Sequence, residues 1–441
     1  MLNDTDPQPR HDPVIVPRSE HNLSRANISP NALKVLYRLK SAGFEAFLVG
    51  GGVRDLLLDR HPKDFDVVTN ADPDQIKDLF RNCRLIGRRF RLAHVRFGRD
   101  IVEVATFRAA GAERDDERAH SDSGRILRDN VYGGIDEDVW RRDFTVNALY
   151  YNIADFSIWD YVGGVDDVRA RTLRLIGDPA TRYREDPVRM LRAVRFAAKL
   201  NFTLAPEAAG PIAELGSLLK DVPPARLFDE LLKLFHSGHA VRSFELLLHY
   251  DLLRYLFRDT QAALEGEEGE KVAEFVRRGL ANTDERIRED KPVTPMFLYA
   301  VFLWAPIRAM ARRLEHEGWQ SGQAMLEASQ SVVASQQTTF PRRFSSPMKE
   351  LLNMQWRFTE RQGVRAARLL EHKRFRAAYD FLLLRASCGE VDQETAAWWT
   401  EIQTLSPEEQ GKMLGRKGRS RRRRRGGRRR AADSEMGDVV S

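Results

Sequence analysis

The chain has 441 residues, 42% hydrophobic and 31% charged, enough for roughly two to four domains with a sizeable core. Its formal net charge of +7 hides an asymmetry: residues 412–430 (KMLGRKGRSRRRRRGGRRR) carry twelve Lys or Arg and no acid, so the remainder is mildly acidic. No window approaches the apolar run of an integral membrane segment, the first residues lack the apolar core of a secretory signal, and Cys83 and Cys388 alone exclude a disulfide framework or a zinc site, so a cytoplasmic protein is expected.

Residues 1–28 are polar and proline-dotted and read as a mobile arm. Ser29-Pro30 reads as a helix start, a cap followed by proline at the first position, and Gly43 as that helix's end. The rest of the chain is organised around residues 47–68, FLVGGGVRDLLLDRHPKDFDVV. Phe47, Leu48 and Val49 read as a strand feeding a turn. Gly50, Gly51 and Gly52 have no Cβ and are free to take positive φ. The helix expected over 53–58 would point its first N–H groups into that turn, a cradle for phosphate. Asp64 and Asp66 stand at i and i+2 of an expected strand and project to one face. Phosphates on one side and two carboxylates on the other suggest a divalent metal between them, the layout for nucleotidyl transfer. A Rossmann turn is disfavoured, because Gly-Gly-Gly-Val-Arg-Asp does not fit G-x-G-x-x-G.

Asp72-Pro73 starts a further helix. Residues 92–97 and 101–107, joined by Gly98-Arg99-Asp100, read as a hairpin that completes a small mixed sheet. Glu103 lies between valines and needs a partner, a metal or a raised pKa. It is either a third carboxylate beside Asp64 and Asp66 or a salt-bridged strand residue. Residues 108–130 read as a flexible loop. Residues 140–151 (WRRDFTVNALYY) read as a helix with Arg142 and Asp143 near its start, where the pair could simply cap it. Residues 185–196 (EDPVRMLRAVRF) open a strong helix on Pro187. In it Asp186, Arg189 and Arg192 are spaced by three and share a face. A carboxylate beside a guanidinium offers an acceptor and forked donors that can read a base edge; the plainer alternative is a helical ion pair.

From residue 206 onward no strand signal appears. Residues 227–235, 244–253, 272–279, 296–314 and 364–384 read as helical segments, with an acidic solvated linker over 265–271. The expected class is α+β: a mixed-sheet head, an all-helical neck and body, and a disordered basic C-terminal tail.

The glycine turn and the acidic strand resemble those of the class II nucleotidyltransferases, which include bacterial poly(A) polymerases and CCA-adding enzymes. Residues 50–55 match the family's Gly-Gly-x-Val/Ile-Arg-Asp turn, and residues 64–66 its Asp-x-Asp strand. The resemblance implies that Gly50, Gly51, Gly52, Arg54 and Asp55 bind the nucleotide, while Asp64 and Asp66 are catalytic and hold Mg²⁺. Arg142 and Asp143 match a second motif that engages the incoming nucleotide, with Asp143 counted in the catalytic set. Either Asp143 or Glu103 completes the metal site. Glu185, Asp186, Arg189 and Arg192 match the Glu-Asp-x-x-Arg motif, in which the protein itself templates the base. Residues 85–95 (LIGRRFRLAHV) resemble the poly(A) polymerase branch, and Arg88, Arg89 and Arg91 suit backbone phosphate contacts.

The similarity spans about 14–400. It implies a head over 29–178, a helical neck over 179–240 that recognises the base and binds RNA, a body over 241–400 and an Arg-rich tail over 401–441. The implied activity is template-independent transfer of AMP from ATP to RNA 3′ ends, making poly(A) tails that promote turnover. Its partners would be ATP, RNA 3′ ends and the RNA-degradation machinery. The alternatives are a CCA-adding tRNA nucleotidyltransferase and a catalytically inactive RNA-binding protein; the intact Asp64 and Asp66 argue against the latter. The tail would meet RNA phosphates, a membrane surface or a protein partner.

Overall fold

The computed structural model describes residues 12–87, 91–109 and 132–415. Eight strands form one sheet: β1 (Val14–Val16), β2 (Ala46–Val49), β3 (Asp66–Thr69), β4 (Cys83–Ile86), β5 (Leu92–Phe97), β6 (Asp100–Thr106), β7 (Leu149–Asn152) and β8 (Ile158–Asp160). Their order is β1-β8-β7-β2-β3-β6-β5-β4. β3 and β6 run parallel and the other neighbours antiparallel. The mixed sheet expected from the sequence is therefore present, and larger.

β2 lies near the centre of the sheet and is buried on both faces, which explains its unbroken apolar run. Ala46 and Leu48 join the core beneath α1 (Pro30–Ser41), while Phe47 and Val49 join Val68, Phe107 and Tyr150 on the opposite face. Ser29 caps α1 through the Asn31 amide (3.3 Å), with Pro30 at its first position. Past the short α2 (Gly51–Leu57), α3 (Pro73–Leu79) opens on a capping box in which Asp72 and Gln75 satisfy each other's amides. The Gly98-Arg99 turn joins β5 to β6 with Phe97 opposite Asp100. The short helices α4 (Ile135–Trp140) and α5 (Gly164–Ala170) complete the sheet-bearing part, beside a small parallel pair, β9 (Thr172–Leu173) and β10 (Thr203–Leu204).

Beyond it come α6 (Pro179–Glu185), α7 (Val188–Leu200), α8 (Pro206–Leu215), α9 (Pro224–Phe235), α10 (Ala240–His249) and α11 (Arg258–Leu264). The remaining helices are α12 (Gly269–Arg288), α13 (Pro295–His316), α14 (Ser321–Ala334), α15 (Arg342–Asn353), α16 (Gly363–Leu370), α17 (Phe375–Ser387), α18 (Gln393–Glu401) and α19 (Pro407–Met413). α13 is the axis of this region. Phe302 stacks on Phe257 at 4.3 Å and Tyr299 on Phe340 at 3.9 Å. One apolar cluster runs continuously from α1 through α7 and α9 to α13 and α17. Among the described residues no helix is long and apolar enough to cross a membrane.

Several sequence expectations fail in instructive ways. Residues 12–28 are not a loose arm: β1 pairs with β8 at the sheet edge, and Leu23 and Ile28 are buried. Residues 140–151 are not a helix. α4 ends at Trp140, Thr145–Asn147 form one 3₁₀ turn, and β7 pairs with β2, with Val49 opposite Tyr150. Strand pairing with a distant segment overrides the local helical pattern. The segment over 364–384 is broken, because the Arg374 amide turns onto the His372 ring (3.2 Å) between α16 and α17. The acidic linker ends early, since α12 already begins at Gly269. The tail begins later than residue 401: α19 is capped by Ser406, and Leu414 is buried and accepts the Gly363 amide at 2.8 Å. The Arg-rich run from residue 416 lies outside the described residues.

Candidate active site

β2 ends at Val49, and Gly50 turns with φ +74°, a conformation that favours glycine. α2 begins at Gly51, two residues earlier than its sequence suggested. Gly51 and Gly52 thus form its first turn, where amides lack acceptors within the helix. A side chain at Gly50 would stand 3.7 Å from Arg142 Nη1, so that guanidinium hangs directly over the turn.

Asp66 is the first residue of β3 and lies opposite Val49. Asp64 precedes the strand instead of belonging to it. The parallel register of Val67 with Val104 sets Asp66 beside Glu103 on one face. Asp66 keeps contact with water, but its carboxyl is pushed up to about 6. Crowding by the surrounding protein is the largest cause, followed by the negative charges of Glu103 and Asp64, against the pull of Arg142. A cation would relieve that repulsion. Among the described residues no three His, Cys, Asp or Glu side chains form a ready metal cage. Such an arrangement suits Mg²⁺, which is commonly held by one or two carboxylates together with substrate phosphates and water.

Glu103 is not in apolar surroundings as its neighbours implied. Val102 and Val104 face the core, while Glu103 is half exposed on the other side, 3.3 Å from His94 Nε2. It is both in contact with His94 and a neighbour of Asp66.

Arg142 is fixed from three sides. It donates from Nε and Nη2 to Asp138 Oδ2 (3.1 and 2.8 Å), from Nε to the Tyr150 hydroxyl (2.8 Å) and from Nη1 to the Asn147 carbonyl (3.4 Å). Burial opposes its charge, but Tyr150 and Asp138 outweigh burial and raise its pKa. A permanent cation therefore sits between the glycine turn and the carboxylates. Arg54 differs from expectation. It is only 2% exposed and donates to Asp55 Oδ1 from Nε and Nη2 (2.8 and 2.6 Å) and to Asn147 Oδ1 from Nη1. Arg54 and Asp55 buttress the turn from behind.

Asp143 is turned towards α7. Its carboxylate accepts from Arg189 Nε (3.1 Å) and Arg192 Nε (2.5 Å). Arg189 also donates to Glu185 Oε2 (2.8 Å) and to the Arg182 carbonyl (2.7 Å). Glu103, together with Asp64, acts electrostatically on Asp66, whereas Asp143 is engaged by the arginines of α7. Asp186 does not share the face of α7: it ends α6, with one oxygen accepting the Val188 amide (3.3 Å) and the other Arg226 Nη2 (2.7 Å). The structure thus brings Glu185, Arg189, Arg192 and Asp143 together, and gives Asp186 a separate partner.

Sequence inspection missed Asp138, Asn147, Tyr150, His94 and Arg226. Only Asp138 had a local signal, its i,i+4 spacing to Arg142. Of the three expected phosphate-contacting arginines, Arg88 and Arg89 lie outside the described residues. Arg91 bonds both oxygens of Asp74 (3.2 and 3.1 Å). The loop over 110–131 also lies outside the described residues.

Three family models match the chain: Poly A polymerase head domain over residues 46–174, Probable RNA and SrmB-binding site of polymerase A over 201–264, and Polymerase A arginine-rich C-terminus over 317–431. Poly(A) polymerase I of Salmonella typhi is 50% identical over 410 residues, covering 91% of this chain and 88% of its own. Poly(A) polymerase I of Haemophilus influenzae is 44% identical over 417 residues, covering 92% of this chain and 91% of its own. The CCA-adding enzyme of Lactobacillus helveticus is 38% identical over 221 residues, covering 50% of this chain and 53% of its own. Among solved structures, a tRNA nucleotidyltransferase complexed with a primer tRNA and an incoming ATP analog superimposes with a TM-score of 0.58 at 23% identity, covering 84% of this chain and 98% of its own. At that identity the likeness shows the fold.

Proposed function

Because the chain belongs to the poly(A) polymerase I family, we propose that Asp64, Asp66 and the Gly50–Gly52 turn are the centre at which it transfers AMP. The protein is a polynucleotide adenylyltransferase, extending RNA 3′ ends from ATP without a template. The observation that carries the assignment of residues is the crowding of Asp66 by Glu103 and Asp64 in front of a fixed Arg142.

In this mechanism the amides of Gly51 and Gly52 and the Arg142 guanidinium bind and orient the nucleotide phosphates. Asp64 and Asp66 would hold Mg²⁺, with Glu103 as the nearby third carboxylate. Mg²⁺ held there would supply the positive charge that favours ionisation of the RNA 3′-hydroxyl and steadies pyrophosphate. Asp138 and Tyr150 keep Arg142 aimed and charged. Asp143 acts through Arg189 and Arg192, setting the position of α7, which carries the arginine of the Glu-Asp-x-x-Arg motif that reads the base. Asp186 supplies the acceptor and Arg189 the donor once the nucleotide exchanges with Arg226. The working division is a catalytic head to residue 178, a neck over 179–240 and a body from 241, acting in the cytoplasm and delivering tailed RNA to the degradation machinery.

Product analysis tests this assignment. Given an RNA with an accessible 3′ end, all four nucleotides and Mg²⁺, the protein makes a long homopolymer of A with release of pyrophosphate. Stopping after a terminal CCA, on tRNA-like substrates only, would refute it.

A further inference from the structure

A cavity of about 620 Å³ opens between the end of α12, the start of α13 and the start of α17, far along the chain from the carboxylates. Part of its wall is apolar: Phe297 is half-buried against Phe381, and Leu383 is 37% exposed. Its rim is mixed in charge with a basic excess: five Lys or Arg, Lys373 and Arg376 among them, stand with Glu285, Glu289 and Asp380. Glu289 pairs with Lys291 (2.7 Å) and Asp380 with Arg376 (3.1 Å), whereas Lys373 is exposed and has no ion-pair partner among the described residues.

On another face of α12, Asp284 accepts the amides of Ala240 and Val241 (2.7 and 3.2 Å) at the start of α10. His239 stands there within electrostatic reach of Asp284, Lys199, Arg60 and Arg242. Lys199 in turn feels Asp55 and Lys63, the latter one residue before Asp64. Arg60 donates to the carbonyls of Lys199 (3.4 Å) and Leu200 (3.1 Å). Basic groups therefore run from the catalytic loop to Lys199 and Arg242, and this stretch meets α12 at Asp284, on a face other than the one that lines the cavity.

We propose that this cavity holds a nucleotide of single-stranded RNA upstream of the 3′ end, with its base against Phe297 and Leu383 and its phosphates on Lys373 and Arg376. The inference rests on RNA being the substrate, as assigned above. An apolar wall beneath spaced cations is the chemistry of single-strand binding, in which bases lie on side-chain faces and the backbone follows positive charge. A free nucleoside triphosphate would instead need cations converging on one point. Here they stand on separate elements, Arg286 near the end of α12 and Lys373 and Arg376 around the start of α17.

The test uses the full chain carrying Lys373→Glu with Arg376→Glu, both exposed, and separately Leu383→Ser. Oligoadenylates from about 6 to about 30 nucleotides, bracketing single-strand site sizes, are titrated without metal or ATP. Beyond a threshold length, affinity should fall about tenfold or more in the charge variant. The slope of log K against log salt should flatten by about 1.4, for two phosphates at about 0.7 each. Leu383→Ser should weaken the same long oligomers and leave the slope unchanged. Shorter oligomers should bind all proteins alike, and melting temperatures should match. A loss that is equal at every length, or no loss, overturns the proposal. Equilibrium dialysis with ATP alone provides the other arm: a second bound ATP that disappears in the variants would make this a mononucleotide site and overturn the RNA assignment. AMP transfer to a short primer, followed in parallel, reports on the catalytic assignment separately, because the binding arm needs no catalysis.

Discussion

Asp66→Asn removes one charge from a crowded trio without changing its volume, and should make the protein more stable while ending its activity. The Asp66 carboxyl titrates near 6 in the folded chain against an ordinary 3.8. At about 1.4 kcal/mol per unit, the ionised group would cost the fold up to about 3 kcal/mol. Water reaches the side chain, so screening reduces the expected gain to about 1 kcal/mol. The sign follows from linkage. The native state binds this proton more tightly than the unfolded chain, so the cost is absent below about pH 4, grows between pH 4 and 6, and is complete above pH 6. The substituted protein should thus be the more stable at pH 7.5 in urea titrations, and the two curves should converge near pH 4. Mg²⁺ provides a second measurement: at tenfold its dissociation constant it should stabilise the wild-type protein by about 1.4 kcal/mol, and the variant far less. AMP transfer should fall by orders of magnitude. Equal stability at pH 7.5, or an offset that does not change with pH, would refute the idea that repulsion at Asp66 is what the ion relieves.

Asp64→Asn should also abolish AMP transfer, with RNA affinity unchanged in filter binding; retained activity would remove Asp64 from the metal site. Asp186→Ala should reduce the preference for ATP over CTP by about 1–3 kcal/mol of discrimination, whereas Arg226→Ala, which breaks the same 2.7 Å ion pair, should leave base choice intact. Identical ratios in both variants would make Asp186 structural. Deleting residues 416–441 should flatten the salt dependence of RNA binding by about 3.5 if about five arginines engage phosphates, with little change in rate at saturating RNA. Superimposable slopes would assign the arginine run another role.

Sequence alone was sufficient wherever the cause of structure is local. The Asp72 cap, the hairpin turn at Gly98 and the positive φ of Gly50 depend on residues a few positions apart, and each signal survives in the fold, the turn one residue shorter than expected. The buried run of β2 and the order glycine turn, then Asp64 and Asp66, were legible for the same reason. The partners of the charged site residues were not. Asp143 meets Arg189 and Arg192 across 46 and 49 residues, and Asp186 meets Arg226 across 40. Spacing of three along the chain had suggested that Asp186 and Arg189 belong together; the break between α6 and α7 separates them. Glu103 came to rest beside Asp66 because of the register of two parallel strands, and residues 149–152 became a strand because β2 offered an edge for pairing. Local sequence limits backbone conformation through sterics and capping. Which side chains share a face, which charge lies next to which, and how much water each keeps depend on packing between distant segments, and only the tertiary structure decides them.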